Sequence, residues 1–240
     1  MALDHALMAR ARRTGEAVLR VYGWTTPVLS LGRNQRALDV YDLDAVARFG
    51  VDVVRRPTGG RALLHHREIT YSVTAPADDA HALLAMYARI NRLLLNALSA
   101  MGVPVALAEP STRTPVPGGL PCFAEPTAGE IVAGGRKLAG SAQWRDAGAL
   151  LQHGSVLVDD DQAMIPLLMR EPPPAAPAPA TLRELLGRAP DLDELAHAMF
   201  VAVRDAEDST AELLGDEDEL ADECVAIVPR YRDAEWTWRR

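Results

Sequence analysis

The chain has 240 residues, 33 acidic and 25 basic side chains, and a formal net charge of −8. Its 48% hydrophobic content excludes disorder, the lack of any apolar run of about 18 residues excludes a membrane span, and two cysteines, Cys122 and Cys224, exclude a disulfide scaffold. The acidic balance argues against a nucleic-acid partner, and the start MALDHALMARARR, charged by its fourth residue, is no secretory signal, so a soluble, cytoplasmic globular protein is expected.

ALDHALMARA carries a helical apolar face that Gly15 ends. Strand-like runs follow at 17–24 (AVLRVYGW), 27–33 (PVLSLGR) and 51–57 (VDVVRRP), the last punctuated by Gly59 and Gly60. ALLH (62–65) and EITYSVTA (68–75) have the pattern of two arms of a hairpin. A long helix is expected over residues 80–101, where Leu83, Tyr87, Ile90, Leu94 and Leu98 share a face. VPVAL (103–107) is read as a strand leading into a loop rich in Pro, Thr and Gly from Glu109 to Pro121. A second β-rich block covers 130–135, 136–144 and 149–159, and a short helix is expected near 161–169. PPPAAPAPA (172–180) forms an extended loop, because each Pro fixes φ and lacks an N–H. Residues 181–228 are helical and acidic, with GDEDELADE (215–223) as a solvated face. Strands grouped around helices without βαβ alternation point to an α+β fold with mixed or antiparallel sheets.

Three stretches carry candidate chemistry. In RRPTGGRALLHH (55–66), a Gly pair permits close backbone approach to a ligand, and its arginines suit a carboxylate or phosphate; a hairpin turn with solvated arginines is the competing reading. In GGRKLAGSAQ (134–143), small residues, a cation and hydroxyl or amide groups suit an oxyanion or carbonyl. The chain holds 24 Arg and a single Lys, Lys137, so a position that stays Lys is a candidate for a compact point charge in a tight pocket, against drift or an ordinary surface Lys. In LQHGSVLVD (151–159), His153 reads first as a hydrogen-bonded core His, and no G-x-S-x-G elbow supports a Ser-His-Asp hydrolase. Cys122 sits in a Pro/Gly-rich loop, where function concentrates; Cys224 looks like ordinary core, and no His/Cys cluster near either supports zinc.

In order and spacing, RRPTGGRALLHH, GRKLAGSAQ and LQHGSVLVD together resemble the lipoate–protein ligase and octanoyltransferase family, which is related in fold to biotin protein ligase. ALDHAL, PVLSLGR and YRDAEWTWRR extend the likeness over nearly the whole chain. The resemblance implies a biotin/lipoate ligase-like α+β catalytic domain over 1–240, with mixed sheets flanked by helices, a C-terminal helical segment (181–240) packed on it and no accessory domain. TGGRALLH followed by EITYSV, and Cys122-Phe123 ahead of Glu130 and Arg136-Lys137, are most similar to the cysteine-dependent octanoyltransferases, although some ligases also carry a Cys-Phe pair here.

What that likeness implies is transfer of octanoate from acyl carrier protein to a lysine of a lipoyl domain (glycine-cleavage H protein or 2-oxoacid dehydrogenase acyltransferase subunits), without cofactor, nucleic acid or membrane. Cys122 would attack the octanoyl thioester and Lys137 would hold the acyl carbonyl as charge develops on it. Arg56, Thr58, Gly59, Gly60, Arg61, His65, Tyr71, Gly140, Ser141, Gln143, His153 and Gly154 would bind substrate, with His153 positioning groups or taking a proton. The alternative within the family is a lipoate–protein ligase that uses ATP and Mg2+ to form lipoyl-AMP; a non-catalytic binder of lipoyl groups and a biotin ligase are further readings, the last lacking its GRGRxG signature. Departures from the family pattern are a chain that starts at the helix, with the first strand missing or the start codon misassigned, His66 in place of Asp, and Ala128 where an aromatic residue is common. Charge is split along the chain, with 17 basic and 12 acidic side chains in 1–145 and 8 and 21 in 146–240. A basic reactive half could steer acidic carrier domains, the bland alternative being solvated acidic helices.

Overall fold

The computed structural model describes residues 1–77, 82–109, 122–123, 125–215 and 218–239. Its β-rich runs pair into two sheets. Strands β1 (Val18–Tyr22), β5 (Glu68–Pro76), β6 (Ala106–Leu107), β7 (Ile131–Ala133), β8 (Arg136–Asp146) and β9 (Ala149–Leu157) form an antiparallel sheet in the order β1-β5-β9-β8-β7-β6. Strands β2 (Val28–Leu31), β3 (Asp52–Arg55) and β4 (Leu63–His65) form a smaller mixed sheet in the order β3-β2-β4. The α+β fold with mixed sheets flanked by helices is thus observed.

Helix α1 (Ala2–Thr14) ends as expected at Gly15, whose φ of 75° is the left-handed cap a side chain would disfavour. Helix α2 (Leu43–Arg48) is the crossover that lets β2 and β3 run parallel. Helices α3 (Ala82–Ala100) and α5 (Leu192–Ala206) pack on one face of the large sheet, and α1 packs on β5 and β9 from the other. Along β9, Ala149 and Leu151 meet Met8 and Ala11 of α1, whereas Leu150 and Val156 join the α3 core. With both faces covered, every residue of β9 is buried and the usual alternation with polar residues disappears. Helix α4 (Leu182–Leu186) and the C-terminal α6 (Asp218–Arg232) and α7 (Ala234–Trp238) complete the chain. A 3-10 turn, Gln162–Leu168, stands where a short helix was expected, and 172–180 lacks regular structure. No helix among the described residues is long and apolar enough to cross a membrane.

Two expectations change. β4 and β5 are not a hairpin: β4 pairs with β2, and β5 is paired on both edges by β1 and β9. The short link between them, His66-Arg67, carries the chain from one sheet to the other, and Asp161 anchors it by accepting from the Arg67 N–H at 2.8 Å. The VPVAL run forms only a two-residue strand. Residues 110–121 of the Pro-rich loop, 80–81 of the expected long helix and 216–217 of the acidic run lie outside the described residues.

Candidate active site

A cleft of about 230 Å³ opens where the two sheets meet. Its first wall is the loop between β3 and β4. That loop is no hairpin turn either, because β2 lies between the two strands it joins. It arches over the end of β2, and Gly32 lies so close beneath that an added Cβ would stand 1.9 Å from the Gly60 carbonyl oxygen. Gly60 itself has a φ of 92°, which glycine tolerates best.

The loop is moulded around Arg56. Its guanidinium donates to the carbonyls of Ser30 (2.8 Å), Gly59 (2.8 Å) and Arg61 (2.7 Å) and is 2% exposed. Burial pulls its pKa below the usual arginine value, opposed by Cys122 and Tyr41. Arg55 serves elsewhere: it donates to the carbonyls of Thr237 (2.9 Å) and Arg239 (3.0 Å) and so ties down the C-terminal tail.

The second wall brings Cys122 and Lys137 together. Lys137 stands at the start of β8, just after the tight Gly134-Gly135 turn, and is 3% exposed. It donates to the Cys122 carbonyl at 2.8 Å and to Glu130 Oε1 at 2.8 Å, and it stands 3.7 Å from Cys122 Sγ. Glu130 also accepts from the Thr127 N–H at 2.7 Å, so the buried ion pair is held from both ends. Gly140 makes room for it, since a Cβ there would meet Lys137 Cε at 3.0 Å and Cys122 Sγ at 3.5 Å. Cys122 is half-buried, and its N–H donates to the Ala62 carbonyl at 3.1 Å, which links the two walls.

Two histidines line the cleft in different states. His153 has Nε2 2.7 Å from Thr58 Oγ1, and Nδ1 faces the Asp4 carboxylate at 3.9 Å. Burial lowers its pKa, against the pull of Asp4. Asp4 is fully buried at the start of α1 and accepts from Arg20 (2.7 Å) and Ser72 (2.9 Å). His65 instead has Nδ1 2.8 Å from Glu68 Oε1, with its ring stacked on Trp24 at 4.2 Å.

Of the residues expected to form the site, Arg56, Gly60, Arg61, His65, Cys122, Lys137, Gly140, Ser141, His153 and Gly154 line the cleft. Thr58, Gly59, Tyr71 and Gln143, also expected to bind substrate, stand outside its lining. Thr58 holds His153 from behind, the Gly59 carbonyl is taken by Arg56, and Gln143 donates to Gln152. Tyr71 is fully buried, 2.7 Å from Ser141 through its hydroxyl, and burial pushes its pKa up to about 12. Sequence reading overlooked Thr70, Ser155 and Glu130, which line the cleft, and Glu68 and Asp4 behind it. Asp4 carried a signal, because it occupies the same helical stripe as Leu7, Met8 and Ala11. Cys224, expected in the core, is partly exposed on α6. Among the described residues no group of three or more His, Cys, Asp or Glu is placed to hold a metal ion.

The charged lining (Arg56, Arg61 and Lys137 against Glu130) is net positive, and a thiol stands beside an ammonium within it. Such a site can take up a carbonyl and stabilise negative charge on oxygen or sulfur. Among curated relatives, the octanoyltransferase LipM of Symbiobacterium thermophilum is 43% identical over 178 residues, covering 72% of this chain and 65% of that protein. The octanoyltransferase LipM of Kyrpidia tusciae is 34% identical over 260 residues, covering 100% of this chain and 94% of its own length. A crystal structure of lipoate–protein ligase A bound with ATP has the same fold, with a TM-score of 0.81 at 23% identity, over 99% of this chain and 92% of that one. A sequence profile of the lipoyl protein ligase A/B catalytic domain matches residues 1–204, and with that match and those relatives the chain belongs to the lipoyl protein ligase A/B catalytic-domain family.

Proposed function

We propose that this chain is an octanoyltransferase of protein lipoylation, acting in the cytoplasm as a single catalytic domain, and that it carries the acyl group on Cys122. The Cys122 thiolate attacks the carbonyl carbon of octanoyl-acyl carrier protein. A new C–S bond forms, the carrier's C–S bond breaks, and the carrier leaves as a thiolate that takes up the proton Cys122 gave up on ionising. Lys137 donates to the acyl oxygen as negative charge develops there. The ε-amine of a lysine on a lipoyl domain then attacks the acyl-enzyme, an amide forms, and Cys122 is released. The reaction requires no cofactor.

The observation that carries this reading is the Lys137 ammonium 3.7 Å from Cys122 Sγ within the cleft, fixed there by Glu130. The identity of 34–43% to proteins named octanoyltransferase supports it. The test is intact mass after incubation with octanoyl-acyl carrier protein. An octanoyl adduct that disappears in Cys122→Ala is expected. No adduct, together with AMP release from lipoate, ATP and Mg2+, would overturn the transferase reading in favour of a ligase.

A further inference from the structure

His65 is fixed from one side only. Nδ1 lies 2.8 Å from Glu68 Oε1 and 3.3 Å from Ser155 Oγ, and Trp24 stacks on the ring with an interplanar angle of 15°. The neighbours are themselves ordered: Trp24 Nε1 donates to Thr70 Oγ1 at 2.7 Å, and Thr70 donates to Glu68 Oε1 at 2.5 Å. The opposite ring nitrogen, Nε2, is buried without a hydrogen-bond partner, and so is Glu68 Oε2. An unsatisfied buried polar atom costs about 1–3 kcal/mol, and its retention calls for a reason. A proton taken up at Nε2 turns His65 into an imidazolium whose charge the Glu68 carboxylate, on the Nδ1 side of the ring, balances. His153 cannot serve in this way, because its Nε2 is already engaged by Thr58.

We infer that His65, oriented by Glu68, is the general base of the second half-reaction, and that it takes the proton of the acceptor amine. This assignment rests on the transferase reading above. As the amine nitrogen bonds to the acyl carbon, its proton passes to His65 Nε2. The C–S bond then breaks, the electron pair leaves with Cys122 sulfur, and the proton returns from His65 to that thiolate or to water. Glu68 is a positioning residue: it fixes the tautomer with Nδ1–H and carries the compensating charge.

The test separates the two halves. Octanoyl-enzyme formation is followed by mass without acceptor; its discharge is followed after a lipoyl domain is added. His65→Gln is expected to slow discharge about 100-fold or more and to slow it at least about 10-fold more than acylation. Glu68→Gln keeps an oxygen for His65 and Thr70 and places its amide where Oε2 has no partner, so it removes charge with little change of shape. It is expected to show the same selective loss, about 10-fold, which keeps the inference testable if His65→Gln folds poorly. Equal losses in both halves, or discharge by both variants at the wild-type rate, would overturn the role of His65. Absence of any adduct in the wild-type protein would instead overturn the transferase reading, and this assignment with it.

Discussion

Lys137→Arg keeps the charge and changes only the shape of the cation. Two of the ammonium's hydrogen bonds are committed, at 2.8 Å each, to the Cys122 carbonyl and Glu130. The side chain is wedged against β8, where a single added carbon on Gly140 would already stand 3.0 Å from Cε and 3.3 Å from Nζ. Arginine brings two further heavy atoms into that space, and overpacking of this kind costs about 1–3 kcal/mol. The guanidinium can still pair with Glu130, so the variant should fold. Its donors are displaced from the acyl oxygen, and loss of one such donor costs about 2.7–4 kcal/mol, or about 100- to 1,000-fold in kcat. Lys137→Met is the contrast: it strands Glu130 as a buried unpaired carboxylate, at about 3–5 kcal/mol. The assays are octanoyl transfer from octanoyl-acyl carrier protein to a lipoyl domain, and urea unfolding of the three proteins. Lys137→Arg should unfold more easily than wild type but less easily than Lys137→Met, with activity down at least about 100-fold. Transfer within about threefold of wild type, under 1 kcal/mol of barrier, would refute the argument that this position requires a compact cation.

Two further outcomes follow from the supports of the cleft. Burial raises the pKa of Asp4, but His153, the N-terminal ammonium and Arg20 outweigh it and hold the carboxyl well below the usual range. Its contribution is therefore full above the unfolded pKa of about 3.9 and drains away in more acid solution, so Asp4→Asn should be clearly less stable than wild type at pH 7, with the gap narrowing by about pH 3. Urea midpoints at the two pH values check this, and a gap that fails to narrow would argue against the assignment. Gly32→Ala puts a carbon 1.9 Å from the Gly60 oxygen, against backbone that cannot rotate away, so the loop must lift off β2. A stability loss of about 1–3 kcal/mol or more and loss of transfer are expected; a variant that unfolds with wild-type midpoint would show that the loop is not held by this contact.

The strands could be read from local pattern because β-rich runs of four to eleven residues are bounded by Gly and Pro. Their pairing could not. ALLH and EITYSVTA are separated by two residues and invite a hairpin, yet β5 finds partners on both edges far along the chain, at β1 and β9. That non-local choice puts His65 and Glu68 on opposite sides of a joint between sheets, a relation no spacing rule contains. Helix α2 escaped notice because six residues are too few to show a helical period, although Asp42 caps it by accepting from the Asp44 N–H at 3.0 Å. The polar residues of the cleft divide along the same line. Lys137 and Cys122 stand in unusual local contexts, whereas Glu130 and Glu68 sit in ordinary strand-like runs and acquire meaning only from what the fold buries them against.

Part of the basic excess of residues 1–145 is paired in space with the acidic stretch. Arg12, Arg13, Arg67, Arg89 and Arg136 of the basic stretch pair with Asp146, Glu223, Asp161, Glu207 and Glu184 of the acidic one. Arg55 and Arg56 are buried on backbone carbonyls. Five basic side chains of that half thus stitch helices α1, α3 and α4 and the β5 joint to their neighbours, and exposed pairs of this kind attract distant partners weakly once neutralised. Among the described residues, the cations lining the cleft are Arg61, the carbonyl-caged Arg56, and Lys137 beside Cys122. Arginine's planar fork suits the first two uses, spanning pairs and gathering several carbonyls at once. Among the described residues, only at Lys137 does one nitrogen reach a carboxylate, a carbonyl and a sulfur within a space bounded by a glycine, and Lys137 is the chain's single lysine.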